Sequence, residues 1–127
     1  MQSHRSALAN AVNRIHRESY GRGATTVRTA LDRNYLTVYL EDMYMPAERT
    51  LIEGGRGEQV KATRQAFQMT MAPEFIDVAE EITGRKVIAF MYQVHFDPDI
   101  AAAMFVFDPS DGESQASQEQ ADAGSAG

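Results

Sequence analysis

Residues 21–51 read GRGATTVRTALDRNYLTVYLEDMYMPAERTL, and this stretch decides the fold. Residues 25–31 alternate, with Val27, Thr29 and Leu31 on one side and Thr26, Arg28 and Ala30 on the other. Residues 35–43 alternate more cleanly: Leu36, Val38 and Leu40 face one way, Tyr35, Thr37 and Tyr39 the other. Period-two alternation is the signature of half-buried strands. Asp32, Arg33 and Asn34 join them, and Asn34 tolerates a left-handed backbone, so the pair reads as an antiparallel hairpin. Pro46 then opens a helix, as proline does at a first helical position, with Leu51 and Ile52 as its apolar side.

Working outward, residues 3–19 predict a helix with Ser3 or Ser6 at its start and Leu8, Ala11, Val12 and Ile15 as a narrow apolar stripe. That stripe is too weak to stand alone, so the helix must dock on a sheet or a second subunit. Gly21 stops it. After the breaker Gly54-Gly55-Arg56-Gly57, residues 58–83 carry the longest helical pattern, with Val60, Phe67, Met71, Phe75, Val78 and Ile82 inward. Arg64 falls on that stripe. The favoured expectation is a packed stem with its head in water; the other is a buried guanidinium needing Glu48 or Glu41. Pro73 predicts a kink or a fresh helix start.

Residues 86–97 read as a strand with Ile88, Phe90, Tyr92, Val94 and Phe96 on the core face, and Ala89, Met91, Gln93 and His95 on the other. Asp97-Pro98-Asp99 makes a turn, and the nearly continuous apolar run at 100–108 reads as a central strand. The order α-β-β-α-α-β-β predicts an α+β fold: two layers, an antiparallel sheet of about four strands, and helices packed mainly on one face.

Composition sets the remaining bounds. The chain has 127 residues, which suits one domain, expected over residues 1–108. Residues 109–127, PSDGESQASQEQADAGSAG, lack every large apolar residue and carry Asp111, Glu113, Glu119 and Asp122 without a base, so they read as a disordered acidic tail. Residues 1–33 reverse the sign: Arg5, Arg14, Arg17, Arg22, Arg28 and Arg33 face only Glu18 and Asp32. Such a face suits an anionic partner. The net charge of −6 argues against nucleic acid as that partner. With no cysteine, disulfides, thiolate metal sites and thiol nucleophiles are excluded. No apolar run approaches a membrane span and the first residues lack a signal-peptide core, so a cytoplasmic protein without direct membrane insertion is expected.

No catalytic constellation, metal-ligand spacing or cofactor fingerprint is present: His4, His16 and His95 do not pair, and there is no nucleophile elbow. Candidate ligand-binding or interaction residues are Gly21, Arg22 and Gly23, Arg28, Glu48 and Arg64. The glycines and Arg22 suit either an anion-binding nest or a plain helix-to-strand connector. Tyr35 and Tyr39 form an aromatic row fit for cross-strand pairing or a subunit interface.

Gly21-Arg22-Gly23, the run 36–41 (LTVYLE) followed by 46–51 (PAERTL), the spacing of Val60, Arg64 and Phe67, and the run 82–87 (ITGRKV) resemble the MpsC-like family of small bacterial proteins, over roughly residues 4–108. The resemblance implies association with sodium-translocating, membrane-potential-generating systems and with inorganic-carbon uptake. It supplies no catalytic residue. Two functions are therefore expected in turn: a non-enzymatic interaction module, as a homodimer docked on a membrane-complex partner, or a small-ligand or anion-binding regulator.

Overall fold

The computed structural model describes residues 4–110. Ser3 and the acidic tail from residue 111 onward lie outside the described residues. The elements run α1 (His4–Ile15), extended by a π-helical turn (His16–Tyr20), then β1 (Thr26–Asp32), β2 (Tyr35–Glu41), α2 (Pro46–Glu53), α3 (Gly57–Thr83), β3 (Val87–His95) and β4 (Ile100–Phe107). The four strands form one antiparallel sheet in the order β1-β2-β4-β3. The expected α+β order is observed, and the apolar run of β4 is central, between β2 and β3.

The core lies between this sheet and α1 and α3. Leu36, Val38 and Leu40 of β2 and Ala101, Ala103, Phe105 and Phe107 of β4 are buried against Leu8, Val12 and Ile15 of α1 and Phe75 and Ala79 of α3. Small alanines on β4 let the helices approach the sheet, while Phe75 stacks on Phe90 with ring centroids 5.7 Å apart. The opposite sheet face carries Tyr35, Tyr39 and Met91, all exposed.

Several local expectations are corrected. The β1–β2 loop takes its positive φ at Arg33 (57°), not at Asn34. Asn34 instead joins the sheet's end: its side chain donates to the Phe107 carbonyl at 2.9 Å, and its own carbonyl accepts the Phe107 amide at 2.8 Å. Ile88 is 55 % exposed because a bulge between Val87 and Ala89 inserts it as an extra residue, throwing its side chain off the core face. Helix α3 runs unbroken through Pro73. Pro73 and Met69, whose carbonyl loses its amide partner, are both exposed, so water can serve that carbonyl.

The buried seam of α3 is Val60, Arg64, Gln68, Phe75, Ala79 and Thr83, with Phe67, Met71, Val78 and Ile82 only partly buried at its flank. In α2 the inward residue is Glu48, whereas Leu51 is 40 % exposed. Polar residues thus occupy positions expected for apolar ones, and they meet one another.

Candidate functional site

The inward polar residues converge where α1, α2, α3 and β3 meet. Glu48 stands in the first turn of α2, three residues after Met45, and its Oε1 accepts the Met45 amide at 3.0 Å. A carboxylate here satisfies a helix-start donor and favours the positive end of the helix dipole. From α3, Arg64 donates Nε to Glu48 Oε2 at 3.0 Å and Nη2 to Oε1 at 2.8 Å, a bidentate pair. Tyr20, on the π-helical turn, donates its hydroxyl to Oε2 at 2.6 Å. The carboxylate therefore receives four donors, which fills its acceptor sites.

Arg64 is 2 % exposed, so its head does not reach water; the buried, paired alternative holds, with Glu48 and not Glu41. Aromatic faces supply the rest of its environment: the guanidinium lies 5.4 Å from the Tyr44 ring centroid and 5.9 Å from that of Tyr20. Burial works against the charge on both partners. The Arg64 guanidinium, the Met45 amide and the Tyr20 hydroxyl outweigh it and hold the Glu48 carboxyl below its usual range. Burial likewise pulls Arg64 down, but Glu48 reverses this and keeps it charged. Burial, reinforced by its bond to Glu48, pushes the Tyr20 hydroxyl upward.

One helical turn along α3, Gln68 donates Nε2 to His16 Nε2 at 2.7 Å. His16 Nδ1 lies 3.0 Å from the Val12 carbonyl, which can only accept. Nδ1 must therefore carry the hydrogen and Nε2 must accept: a neutral imidazole of defined tautomer. Burial, with a smaller contribution from the Arg64 charge, lowers its pKa to about 4. Tyr92 closes the cluster from β3, and burial pushes its hydroxyl up to about 12. The gap lined by His16, Tyr20, Met43, Arg64, Phe67, Gln68 and Tyr92 leaves no space for a water molecule.

A second anchor sets the chain leading into α2. Asp42 takes a positive φ of 61° after β2. The following amides of Met43 and Tyr44 both donate to Asp99 Oδ2, at 2.6 and 2.7 Å. Asp99 lies in the β3–β4 turn beyond the cis Asp97–Pro98 peptide, so that turn fixes where α2 begins and hence where Glu48 points.

Of the candidates named from sequence, Glu48 and Arg64 are brought together, and the others are placed elsewhere. Arg22 faces the Asp42 carboxylate at 3.4 Å and donates to the Asp42 carbonyl at 3.2 Å. Arg28 donates to Glu41 at 3.1 Å on the open sheet face. Gly21 takes the positive φ of a helix stop, 102°. Gly23 serves close approach: a Cβ there would come within 2.8 Å of Asn13 Oδ1, which accepts the Ala24 amide at 2.6 Å. Tyr35 and Tyr39 are exposed on the open face at 56 % and 38 %.

Sequence reasoning missed His16, Tyr20, Tyr44, Gln68 and Asp99. A signal existed for two: Leu8, Val12, His16 and Tyr20 recur at intervals of four, continuing the stripe of α1 into the π-helical turn. Among the described residues, no group of three or more His, Asp or Glu is placed to hold a metal ion, and no helix is long and apolar enough to cross a membrane.

Chemically, the cluster is closed around Glu48 and His16, while Arg64 Nη1 and Gln68 Oε1 are buried without a hydrogen-bond partner. Its carboxylate is saturated, its histidine is neutral and hydrogen-bonded at both nitrogens, and no ligand volume adjoins them. Outside it, a groove of about 490 Å3 runs between α1 and α3, lined by Asn10, Arg14 and Arg17 on one wall and Val78, Glu81 and Ile82 on the other.

No curated protein and no solved structure matches this chain. A family model does, that of the Na+-translocating membrane potential-generating system (MpsC), over residues 2–109. That match takes in every element described above, and the chain belongs to the MpsC family.

Proposed function

We propose that the protein is a non-enzymatic accessory of the membrane system for which its family is named. In this reading it acts as a homodimer and docks, peripheral to the inner membrane on its cytoplasmic side, on a partner protein of that system. The observation that carries the reading is the saturation of Glu48 by Met45, Arg64 and Tyr20. The one concentration of buried ionisable groups among the described residues is consumed in holding α1, α2 and α3 together. What remains for function is surface. The groove between α1 and α3 presents Arg14 and Arg17, suited to an acidic segment of a partner.

The test is capture from detergent-solubilised membranes by the tagged full-length chain. Retention of a membrane protein, lost on the Arg14→Glu/Arg17→Glu double substitution, supports the reading. A chain that retains no membrane protein at low salt overturns it.

The second reading, an anion-binding regulator built on Gly21, Arg22, Gly23, Arg28 and Arg64 with Glu48 orienting an arginine, draws less support, because Arg22, Arg28 and Arg64 each already face a carboxylate. Thermal shift with phosphate, bicarbonate and nucleotides decides it: a ligand that binds the native state must raise stability.

A further inference from the structure

The register of the sheet defines its open face residue by residue. Four rows cross all four strands: Asp32, Tyr35, Val106 and Ala89; then Ala30, Thr37, Met104 and Met91; then Arg28, Tyr39, Ala102 and Gln93; and at the far edge Thr26, Glu41, Ile100 and His95. The inward neighbours Val27, Leu31, Leu36, Val38 and Leu40 pack on the core, so these rows point away from it. Among the described residues, Arg28, Ala30 and Asp32 are exposed, as are Tyr35, Tyr39, Met91 and Gln93, while Val106 is buried. The second row carries no charge. The rows on either side of the second row each place one charge on β1, of opposite sign and equally far from it; the fourth row, with Glu41, has no counterpart beyond Asp32.

That arrangement is complementary to itself. We infer that the open sheet face is the interface of an isologous dimer whose twofold axis runs along the row Ala30, Thr37, Met104 and Met91. Rotation about this axis lays each strand antiparallel on its own copy, as in an aligned sandwich of two sheets. Thr37, Met104 and Met91 then meet themselves. Arg28 meets the second copy's Asp32, and the reverse. Tyr39 meets Tyr35, an aromatic pair at an interface. Small Ala102 meets larger Val106.

The competing twofold, parallel to the strands, lays β1 on β3 and sets Arg28 against Gln93 and Asp32 against Ala89. It leaves Asp32 without a partner on a desolvated surface, which is costly, while Arg28 keeps Glu41. The existing bond from Arg28 to Glu41 is exposed, with the Arg28 side chain 70 % accessible, so exchanging it costs little. This inference rests on the homodimer proposed above and specifies its geometry.

Charge reversal tests it. The full chain, studied by sedimentation equilibrium at low and moderate salt, is expected to dimerise. Arg28→Asp alone sets Asp against Asp across the interface and Asp32→Arg alone sets Arg against Arg. Each should weaken the dimer by about tenfold or more, and the double exchange should restore it. Met91→Asp, which places two carboxylates near the axis, should abolish the dimer. All three positions are exposed on the monomer, so circular-dichroism melting should show the fold retained. A wild-type chain that stays monomeric overturns the inference and the homodimer with it, leaving docking on a membrane partner to its own test. A dimer indifferent to the single reversals, or not restored by the double exchange, overturns this interface while leaving dimerisation standing.

Discussion

The guanidinium of Arg64 meets the carboxylate of Glu48 through two parallel hydrogen bonds of 3.0 and 2.8 Å, with both side chains almost wholly removed from water. The two residues are 16 apart in sequence, and their meeting joins α2 to α3 and, through Tyr20, to the end of α1. Burying two charges costs several kcal/mol for each ion before pairing, so such a pair depends on its partners. For Glu48 they are supplied by Met45 and Tyr20; Arg64 has the ring of Tyr44 beside it, and its Nη1 is buried without a hydrogen-bond partner.

Removing one member should therefore hurt more than replacing both. Arg64→Met leaves Glu48 buried without its counter-ion and should cost about 3–5 kcal/mol in urea unfolding. Adding Glu48→Gln, which still accepts the Met45 amide and still bonds Tyr20, should recover much of that loss. If the double variant is less stable than Arg64→Met alone, the pair is not the coupled unit described.

His16 should give the protein an acid-sensitive stability. Its folded pKa, about 4, lies below the ordinary 6.5, so the unfolded chain takes up the proton first as pH falls. The contribution is complete above the unfolded value and is lost as pH drops from about 6.5 toward 4. One pKa unit corresponds to about 1.4 kcal/mol, so a loss on the order of 2 kcal/mol is expected by pH 5. Glu48, held below its usual range, adds a further loss only at lower pH. Unfolding at pH 7, 6 and 5 measures this, and His16→Gln should flatten the slope across that window.

Gly23 is required for closeness, not for an unusual backbone angle. In Gly23→Ala the new methyl would press on Asn13, whose side chain is fixed by the Ala24 amide at 2.6 Å and the Ala24 carbonyl at 3.2 Å. A loss of about 1–3 kcal/mol is expected from such overpacking. Asn13→Ala/Gly23→Ala should lose less than the sum of its single variants, since the clash is removed with the side chain.

Asp99→Ala leaves two amides, those of Met43 and Tyr44, without their acceptor. Each buried orphan donor costs about 1–3 kcal/mol, so the variant should be among the least stable single substitutions on the surface turns. Faster hydrogen exchange should appear at those amides and in the first turn of α2, while α1 and β4 stay protected.

The sheet was legible because its evidence is local. Alternation in β1, β2 and β3 places side chains without reference to anything distant, and the apolar run of β4 reveals a central strand. The polar cluster was not legible for the opposite reason. Arg64 and Gln68 sit inside because Glu48 and His16, 16 and 52 residues away, satisfy them. Read alone, they look like interruptions of an apolar stripe, which shifted the expected seam of α3 toward Phe67 and Met71. Ile88 followed the alternation rule until a bulge broke it, and Pro73 announced a break that an exposed carbonyl made unnecessary. Glu48 and Arg64 were named as candidate ligand-binding or interaction residues; in the fold they bond to each other and, through Glu48, to Tyr20 and Met45.

The most direct measurement uses the folded Glu48→Gln/Arg64→Met variant in the membrane capture experiment. If function lies on the surface and the ion pair only holds shape, this variant retains the same membrane protein, in the same amount, as the wild-type chain. A variant that is folded and equally stable, yet captures nothing, would contradict the account and make the buried pair a working part.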